Sequence, residues 1–328
     1  MERKLVKVDT LVIGSGITAQ ILKARRPATV LVDASYAPGG LYAVLKTPLG
    51  MYSRCPAFSE EPLRGFLEVE TEVTYLKDGD YESKVYAYED PSQFQRTRFL
   101  DIVKHAEHCS KLFLSLNPIK AVVGRPYTPI VANIRAIHVE KQLVTLNNGM
   151  VITFSNLVYT WPLDRLPTLV RSCPKDLYAV FEELLPRLRS VRMLASMLIV
   201  RDVESLRHDR ITVLIHATRA SRIHTIIAIP LNSHTHLVYV YTSFGDRYRL
   251  LPGIIEKFFS ELRRFLGLRP KNIVDEHHYE YSYFAISRVE ESIIGELCDE
   301  LKKFGIVPEG RLGLWQEISL RSIVERYS

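Results

Sequence analysis

The sequence predicts an α/β fold, in which a parallel sheet with helices is interrupted by an inserted α+β region. Three observations support this prediction. Residues 11–33 contain an apolar strand, a glycine turn, a short helix and a second apolar strand. Residues 305–327 contain a strand, a glycine turn and a helix near the other end, and short strands with few helices lie between. Because 328 residues exceed the usual size of one hydrophobic core, two joined domains are expected.

The first glycine turn has the spacing of a dinucleotide-binding motif. The strand at residues 11–13 runs into Gly14-Ser15-Gly16-Ile17-Thr18-Ala19, and Asp33 follows the second strand, 17 residues after Gly16, close to the roughly 20 expected. Glycines let backbone N–H groups approach a pyrophosphate, and the helix N-terminus adds about half a positive charge. The motif predicts an adenine dinucleotide, with Asp33 accepting hydrogen bonds from a ribose. An ordinary βα turn without a ligand is the alternative.

The composition is that of a globular protein without a membrane span. Hydrophobic residues make up 47% and charged residues 24% of the chain, and the longest apolar stretches are far shorter than the roughly 20 residues that cross a bilayer. The first strand follows the N-terminus too closely for a signal peptide, which predicts a cytoplasmic location. The four cysteines form no CxxC pair and the paired histidines lack a third ligand, so no metal is expected. The net charge of +6 is spread along the chain and indicates no nucleic-acid partner.

The middle of the chain predicts the inserted region and a return to the parallel sheet. Gly39-Gly40, shortly after Asp33, forms a second candidate phosphate-facing loop. Two strands at residues 70–75 and 84–88 precede a helix over Phe94–Leu114. The later pattern predicts short strands over 130–146, a hairpin turn at Asn147-Asn148-Gly149, and a strand from residue 151 to residue 160 that the following proline stops. It also predicts helices near 176–188, 252–266 and 290–304, an antiparallel sheet from residues 193–200, 212–216, 223–229 and 237–241, and a strand over 277–284 between the last two helices.

The last part of the chain contains the second glycine turn. Gly310-Arg311-Leu312-Gly313-Leu314-Trp315 lies between a strand at residues 305–307 and a helix over Leu320–Tyr327, with Ser319 as the expected N-cap. Such a turn at a helix N-terminus is suited to the other half of a dinucleotide. An ordinary corner between a strand and a helix is the alternative.

Taken together, these segments resemble the FAD-binding amine-oxidase and protoporphyrinogen-oxidase superfamily, most closely its UDP-galactopyranose-mutase-like branch. The matching segments, in the order of that family, are residues 14–19 with Asp33, Gly39-Gly40, the meander of residues 134–158 with its Asn-Gly turn, Thr160-Trp161-Pro162-Leu163, and residues 310–315. The resemblance implies a Rossmann-like FAD-binding domain of the glutathione-reductase type with an inserted α+β antiparallel-sheet substrate domain.

The resemblance also implies how the chain divides and which residues hold FAD. The FAD-binding domain would comprise residues 1–60, 126–168 and 291–328, the inserted helical and strand segment residues 61–125, and the substrate domain residues 169–290. The implied FAD contacts are Gly14, Ser15, Gly16, Ile17, Thr18, Asp33, Ala34, Gly39, Gly40, Leu41, Ile134, Thr160, Gly310, Arg311, Trp315, Ser319 and Leu320.

By the same resemblance, arginines and tyrosines would contact an anionic small-molecule substrate, because guanidinium groups match phosphate oxygens. Arg222, Tyr283 and Arg288 are the expected catalytic residues, and Arg54, Tyr279 and Tyr281 are further candidates. The chain departs from the family in its short first helix and in residues 46–58, where relatives carry a glycine- and histidine-containing segment.

The expected function is therefore a FAD-dependent oxidoreductase or flavin-dependent mutase that acts on a small substrate, of nucleotide-sugar or amine type. Two alternatives stay open. One is a catalytically inert binding or assembly module that keeps the fold, and the other is an NAD-dependent oxidoreductase that uses only the first glycine turn. A homodimer is also left open.

Overall fold

The computed structural model describes residues 5–327. They form two compact units, which we call the first and the second unit. The first unit consists of residues 5–44, 119–189 and 286–327, and the second of residues 45–118 and 190–285. The chain therefore leaves the first unit twice and returns to it twice.

The strands of the described chain are, in order, β1 (Leu5–Ile13), β2 (Val30–Asp33), β3 (Val44–Thr47), β4 (Gly50–Ser53), β5 (Ala57–Ser59), β6 (Leu67–Lys77), β7 (Lys111–Ser115), β8 (Ile130–Val131), β9 (Ile134–His138), β10 (Leu143–Leu146), β11 (Val151–Tyr159), β12 (Val170–Arg171), β13 (Ser190–Arg201), β14 (Ile211–His216), β15 (Thr225–Asn232), β16 (Thr235–Phe244), β17 (Ile273–Ile286) and β18 (Ile306–Pro308).

The α-helices of the same residues are α1 (Ile17–Arg25), α2 (Tyr81–Val85), α3 (Arg98–His108), α4 (Pro118–Val123), α5 (Leu166–Leu169), α6 (Lys175–Leu184), α7 (Ile254–Leu266), α8 (Glu291–Lys302), α9 (Gly310–Gly313) and α10 (Leu320–Tyr327). A 3-10 turn over Gly40–Tyr42 begins within the Gly39-Gly40 loop.

The sheet of the first unit has β1 near its centre. Its order is β12-β9-β10-β11-β1-β2-β8, and β18 pairs with the second half of β11. The pairs of β1 with β2 and β11, of β2 with β8 and of β11 with β18 are parallel, whereas β10 pairs antiparallel with β9 and β11. Ile13 is opposite both Val32 and Tyr159, and Tyr159 is opposite Pro308. The carboxyl ends of these four strands therefore meet at one edge of the sheet.

Apolar residues on the central strands explain why this sheet forms. Leu11, Val12 and Ile13 have no exposed surface, which is the near-continuous burial expected of a parallel strand covered on both faces. One cluster joins Val12, Val158 and α1 residues such as Ala19 and Leu22. Packing of α1 on the sheet thus fixes where its N-terminus lies relative to the strand ends.

The sheet of the second unit is mixed. Its strand order is β17-β13-β16-β15-β14-β6-β7-β5. Strand β6 pairs parallel with β14, whereas β13 with β16, β16 with β15, and β15 with β14 are antiparallel pairs. Alternate residues of β13 enter two core clusters, which therefore lie on opposite faces. Leu194 and Leu198 pack with α7, whereas Met193, Ala195 and Met197 pack with Cys55 and the tyrosines of β16.

Several sequence expectations need correction. The helix expected over Phe94–Leu114 is the shorter α3, because Thr97 caps its start and residues 111–115 form β7 between β6 and β5. Residues 84–88, expected to be a strand, end α2 and enter a turn, because the Asp80 side chain caps that helix. The sheet expected to be antiparallel is mixed, since β6 joins it through long-range parallel pairing.

The boundaries between the units also differ from the expected domain limits. Residues 45–60 belong to the second unit, because β5 pairs with β7 there. Residues 169–189 and 286–290 belong to the first unit, where α6 packs against α8. Among residues 5–327, no helix combines the length and apolar character needed to cross a membrane.

Candidate functional site

The turn after β1 requires glycine at its first position. Gly14 has φ +115°, and its N–H donates to Val32 O at 2.8 Å, which ties the turn to β2. A Cβ atom built on Gly14 would lie 2.2 Å from Thr160 Oγ1. Thr160 is itself held by Ile13, because its Oγ1 donates to Ile13 O at 2.8 Å. The end of β11 therefore packs directly on the turn.

Gly16 leaves the N-terminus of α1 uncovered. It precedes the nine-residue helix with φ −62°, it makes no side-chain cap, and the first turn contains no acidic residue. A Cβ atom built on Gly16 would meet no atom within 4 Å. The helix thus presents backbone N–H groups and the positive end of its dipole next to open space, which is the arrangement that binds phosphate groups.

Asp33 ends β2 beside this turn and is held in place by two donors. Its Oδ2 accepts a hydrogen bond from Ser15 Oγ at 2.8 Å, and its Oδ1 accepts one from Ser35 N at 2.9 Å. A carboxylate has about four acceptor positions, so about two remain for further donors. Ala132 N donates to the backbone O of Asp33 at 2.9 Å, and β9 begins two residues later at Ile134.

The Gly39-Gly40 loop packs on the first turn. Gly39 N donates to Ser15 O at 2.7 Å, and Gly39 forms a parallel bridge with Gly16. Both glycines have positive φ, and a Cβ atom on Gly39 would lie 3.0 Å from the backbone of Ala43. Ala34 and Leu41, at the borders of this loop, are exposed. Two glycine segments thus lie side by side at the N-terminus of α1.

The second glycine turn joins the same edge of the sheet. A Cβ atom on Gly310 would lie 2.7 Å from Thr18 Oγ1, and one on Gly313 would lie 2.3 Å from Tyr159 O. Ser319 Oγ accepts a hydrogen bond from Ser322 N at 2.9 Å, which confirms Ser319 as the N-cap of α10. Residues near the two ends of the chain therefore meet at the start of α1.

Two residues expected to contact the cofactor have partners within the protein. Arg311 Nε donates to Glu317 Oε1 at 3.0 Å, in a pair that also satisfies the charge of Glu317. Trp315 is buried, and its Nε1 donates to Ser287 Oγ at 3.3 Å. Their side chains therefore stabilise the turn around α9.

The three expected catalytic residues are divided between the two units. Arg288 is exposed in the first unit, just after Ser287. Tyr283 lies on β17 of the second unit, on the same face as Tyr279 and Tyr281 by strand alternation. The guanidinium of Arg222 lies 3.8 Å above the ring of Tyr248 and donates to Arg249 O at 3.4 Å.

Instead, Arg54 joins the β17 tyrosines in the second unit. Its guanidinium lies 4.6 Å from the centre of the Tyr279 ring, and its Nε is buried without a hydrogen-bond partner among the described residues. Cys55, the next residue, packs against the hydroxyls of Tyr241 and Tyr281. Burial raises the pKa of the Cys55 thiol to about 12, so the group is a neutral thiol at neutral pH. A cation thus lies beside a row of tyrosines that burial keeps protonated.

Sequence reasoning missed the thiol, Tyr239 and Tyr241 around Arg54. Tyr239 Oη donates to Ser53 O at 2.8 Å, so the residues flanking Arg54 are anchored to the centre of the sheet. The signal was present in Tyr239-Val240-Tyr241, because alternation on a strand places both tyrosines on one face. The described chain contains no cluster of three or more His, Cys, Asp or Glu side chains arranged to hold a metal ion.

A sheet with parallel central strands and glycine turns at the carboxyl ends of those strands is an arrangement also found in dinucleotide-binding α/β folds. Solved structures with the same fold include a reduced UDP-galactopyranose mutase, with a TM-score of 0.71 and 14% identity over 98% of this chain and 92% of that one. A CLA-producing fatty acid isomerase from P. acnes has a TM-score of 0.66 and 10% identity over 98% of this chain and 96% of that one.

Wild-type putrescine oxidase bound to putrescine has a TM-score of 0.52 and 9% identity over 84% of this chain and 85% of that one. The resemblance expected from the sequence is confirmed at the level of the fold. No protein-family model matches the chain. No curated protein matches its sequence either.

Proposed function

We propose that the protein is a FAD-dependent oxidoreductase or flavin-dependent mutase that acts on a small molecule. The observation that carries this proposal is the meeting of Gly14, Gly39 and Gly310 around the uncapped start of α1. An NAD-binding site would need only the first of these segments. The contact of the last segment with Thr18 favours a ligand that uses both ends of the chain.

The residues present fit the cofactor. The N–H groups of residues 15–18 and the positive end of α1 would hold the pyrophosphate, and the free acceptor positions of Asp33 would bind the ribose of the ADP half. Ile134 would lie beside the adenine, close to Asp33. When bound, the isoalloxazine ring supplies the electron transfer or nucleophilic chemistry, which no amino-acid side chain of this set provides.

The remaining contacts divide into backbone and side-chain contributions. Residues 39–41, Thr160, Gly310 and the N–H groups at Ser319 and Leu320 would contact the flavin half through the backbone. Arg311 and Trp315 would act indirectly, because Glu317 and Ser287 already engage their side chains. In this assignment the first unit is the flavin-binding domain and the second is the substrate domain.

As the site that binds the substrate, the cluster of Arg54, Tyr279 and Tyr281 is favoured over Arg222. The buried Nε of Arg54 lacks a partner, and such a group is costly unless a ligand satisfies it. We assign Arg54, Tyr279 and Tyr281 to an anionic substrate group, with Tyr283 on the same strand face and Arg288 following that strand. Hydroxyls kept protonated by burial can donate to such a group and orient it.

A catalytically inert module is the second candidate, and the ion pair of Arg311 with Glu317 favours it, since it withdraws one expected cofactor contact. Reduction of bound flavin by dithionite and its reoxidation by air show that the flavin is redox-active, and substrate turnover then separates the candidates. An enzyme is expected to complete this cycle and to turn over a substrate, whereas an inert module would show no turnover.

The purified protein tests the proposal directly. It is expected to show the visible absorption of bound flavin, or to quench FAD fluorescence in a saturable titration, and to bind NADH far more weakly. The matched control for the Gly16→Ala variant discussed below is Gly295→Ala, because Gly295 lies in α8 and a methyl group added there would also meet no atom within 4 Å. A colourless protein that gives no binding signal with added FAD would refute the proposed function.

A further inference from the structure

The sheet of the second unit ends on one side in a long edge strand. Strand β17 has 14 residues, and among the strands of residues 5–327 it neighbours β13 alone. The opposite end of the same sheet is β5, which has only three residues. Proteins generally keep edge strands short or protect them with proline, because the free N–H and C=O groups of an edge pair readily with another strand. The sequence of β17 contains neither proline nor glycine.

The exposure of β17 differs from that of the inner strands. None of residues 273–284 is buried, whereas every residue of β16, two strands further in, is buried. Tyrosine, phenylalanine and histidine occupy six of these twelve positions. Such side chains interact favourably with their counterparts on a neighbouring strand. A half-exposed strand of this length and composition is therefore suited to bind a further strand along its outer edge.

The charges of β17 are compatible with a second copy of the same strand in one antiparallel register. With a two-fold axis perpendicular to the sheet at Tyr279, each Glu280 lies opposite His278 of the other copy. In the same register, each Glu276 lies opposite Ser282. An axis at residue 278 would place Glu276 opposite Glu280, and an axis at residue 280 would place Glu280 opposite itself. Like charges in directly opposite positions destabilise a strand pair, so the register centred on Tyr279 is favoured.

An open groove beside β17 supplies a cation for the carboxylate that this register brings near it. The groove has a volume of about 430 Å³, and its charged lining residues are Arg192, Arg249, Asp246 and Glu280. Arg192 of β13 lies 3.6 Å from Glu280 and is half exposed. Glu276 is exposed, and no lysine or arginine of the described chain forms an ion pair with it. A guanidinium has five N–H donors and reaches diagonal positions, so Arg192 can also contact Glu276 of a second copy.

We propose that the outer edge of β17 is a dimer interface, at which two copies of this chain pair antiparallel about Tyr279. The contact closes on itself, because the same strand is used on both copies and neither edge stays open. The two mixed sheets become one continuous sheet. All residues of this interface belong to the second unit, so the proposal stands independently of the flavin site.

Sedimentation equilibrium from about 1 µM to about 100 µM tests the interface. Wild-type protein is expected to dimerise within this range. Glu276→Lys should weaken the dimer at least about tenfold, because each copy then places an ammonium group near Arg192 of the other. Glu70→Lys is the matched control and should behave like wild type, since Glu70 is also an exposed strand residue but lies on β6, far from β17 in the sheet.

Single cysteines on β17 test the register. Under mild oxidation Tyr279→Cys is expected to form a disulfide between two copies, because opposite Cα atoms of antiparallel strands lie about 4.5–5.5 Å apart, which a disulfide spans. Ser282→Cys is the control and should form none, since it would face Glu276 of the other copy. Wild type, which has four cysteines of its own, gives the background.

Each measurement has an outcome that contradicts the proposal. A monomer throughout the concentration range would leave the edge of β17 to a partner of another kind and overturn the proposal. A dimer that Glu276→Lys and Glu70→Lys affect equally would place the interface elsewhere. Crosslinking of Ser282→Cys as efficient as that of Tyr279→Cys would exclude the register. If Tyr279→Cys fails to fold, the comparison of Glu276→Lys with Glu70→Lys still decides whether β17 forms the interface.

Discussion

Gly310 lies directly against Thr18, although the two are 292 positions apart in the chain. A Cβ atom on Gly310 would approach Thr18 Oγ1 to 2.7 Å, and Gly310 has φ +73°. Glycine is therefore required at position 310, both because a side chain would clash with Thr18 and because the backbone has a positive φ. Because of this contact, substitutions near either end of the chain should change the affinity for the same ligand at the start of α1.

Two glycines of the first turn are expected to respond differently to alanine. Gly14→Ala should destabilise the protein by about 3 kcal/mol or more, since φ is +115° and Thr160 Oγ1 lies 2.2 Å from the new methyl group. Gly16→Ala should change stability by less than about 1 kcal/mol, because φ is −62° and the space is open.

FAD affinity should nevertheless fall at least about tenfold in Gly16→Ala, because the methyl group would occupy the space that a pyrophosphate needs. Urea denaturation and FAD titration of the same samples measure the two effects. Gly295→Ala serves as the control for both. Full FAD affinity in Gly16→Ala would remove the start of α1 from the proposed cofactor site.

Asp33→Ala is expected to lower FAD affinity about tenfold or more, because hydrogen bonds from two ribose hydroxyls to a charged acceptor would be lost. Ser15→Ala should have a smaller effect, since Ser35 N still orients the carboxylate at 2.9 Å. Asp299→Ala, an exposed carboxylate of the first unit, is the control. Fluorescence titration orders the three variants, and a larger loss in Ser15→Ala than in Asp33→Ala would contradict the assignment of the ribose contact.

The ends of the chain could be predicted because their signals are local. Apolar runs, glycines and a capping residue mark β1, α1, β2 and α10, and the structure has all four elements, although β1 begins at Leu5 rather than near residue 11. Residues 84–88 could not be predicted, because Val85, Tyr86 and Ala87 are all buried by packing from several sides and give no clear period. The parallel pairing of β6 with β14 depends on residues far apart in the sequence, so no local pattern predicts it.

The two glycine turns and Asp33 could be located in the same way, but the side-chain clusters of the second unit could not. Arg222 was a candidate on the basis of resemblance, yet its neighbours Tyr88 and Tyr248 come from separate loops. Lys84 lies in a stretch of charged residues, and only the folded structure shows that its ammonium group is buried. Sequence patterns record which face a residue occupies, whereas pairings between distant loops arise from the tertiary fold.

Arg54→Met is expected to leave the free energy of unfolding unchanged, or to raise it by up to about 1 kcal/mol, because it removes a buried Nε atom without a hydrogen-bond partner and keeps an apolar side chain against the Tyr279 ring. Arg264→Met is the matched control, since its guanidinium also lies 4.6 Å from an aromatic ring, that of Phe265, but on the exposed side of α7. Denaturant unfolding measures both. A loss of more than about 2 kcal/mol in Arg54→Met would show that Arg54 is retained for stability and would weaken its assignment to a substrate.

Lys84 is expected to make stability depend on pH just above neutrality. Burial lowers the pKa of its ammonium group to about 7, although Glu261 raises this pKa, and Arg222 lowers it further. His216, whose own pKa is lowered by burial, lies within 3.4 Å. The unfolded chain keeps the proton up to its usual pKa of 10.5, so it binds more protons than the folded protein between these values.

The free energy of unfolding should therefore rise with pH from 7 to 8.5, with a slope from Lys84 that approaches about 1.4 kcal/mol per pH unit. Above this window the Cys55 thiol opposes the rise, because burial raises its pKa to about 12 and the unfolded chain loses that proton first. Lys84→Met should lose the rise even if it lowers stability overall through the lost bonds to His216 O and Ile223 O. Lys257→Met, at an exposed position of α7, is expected to keep the wild-type slope. Urea denaturation of the three proteins at several pH values decides, and equal slopes in wild type and Lys84→Met would show that the folded protein holds the Lys84 proton throughout this range.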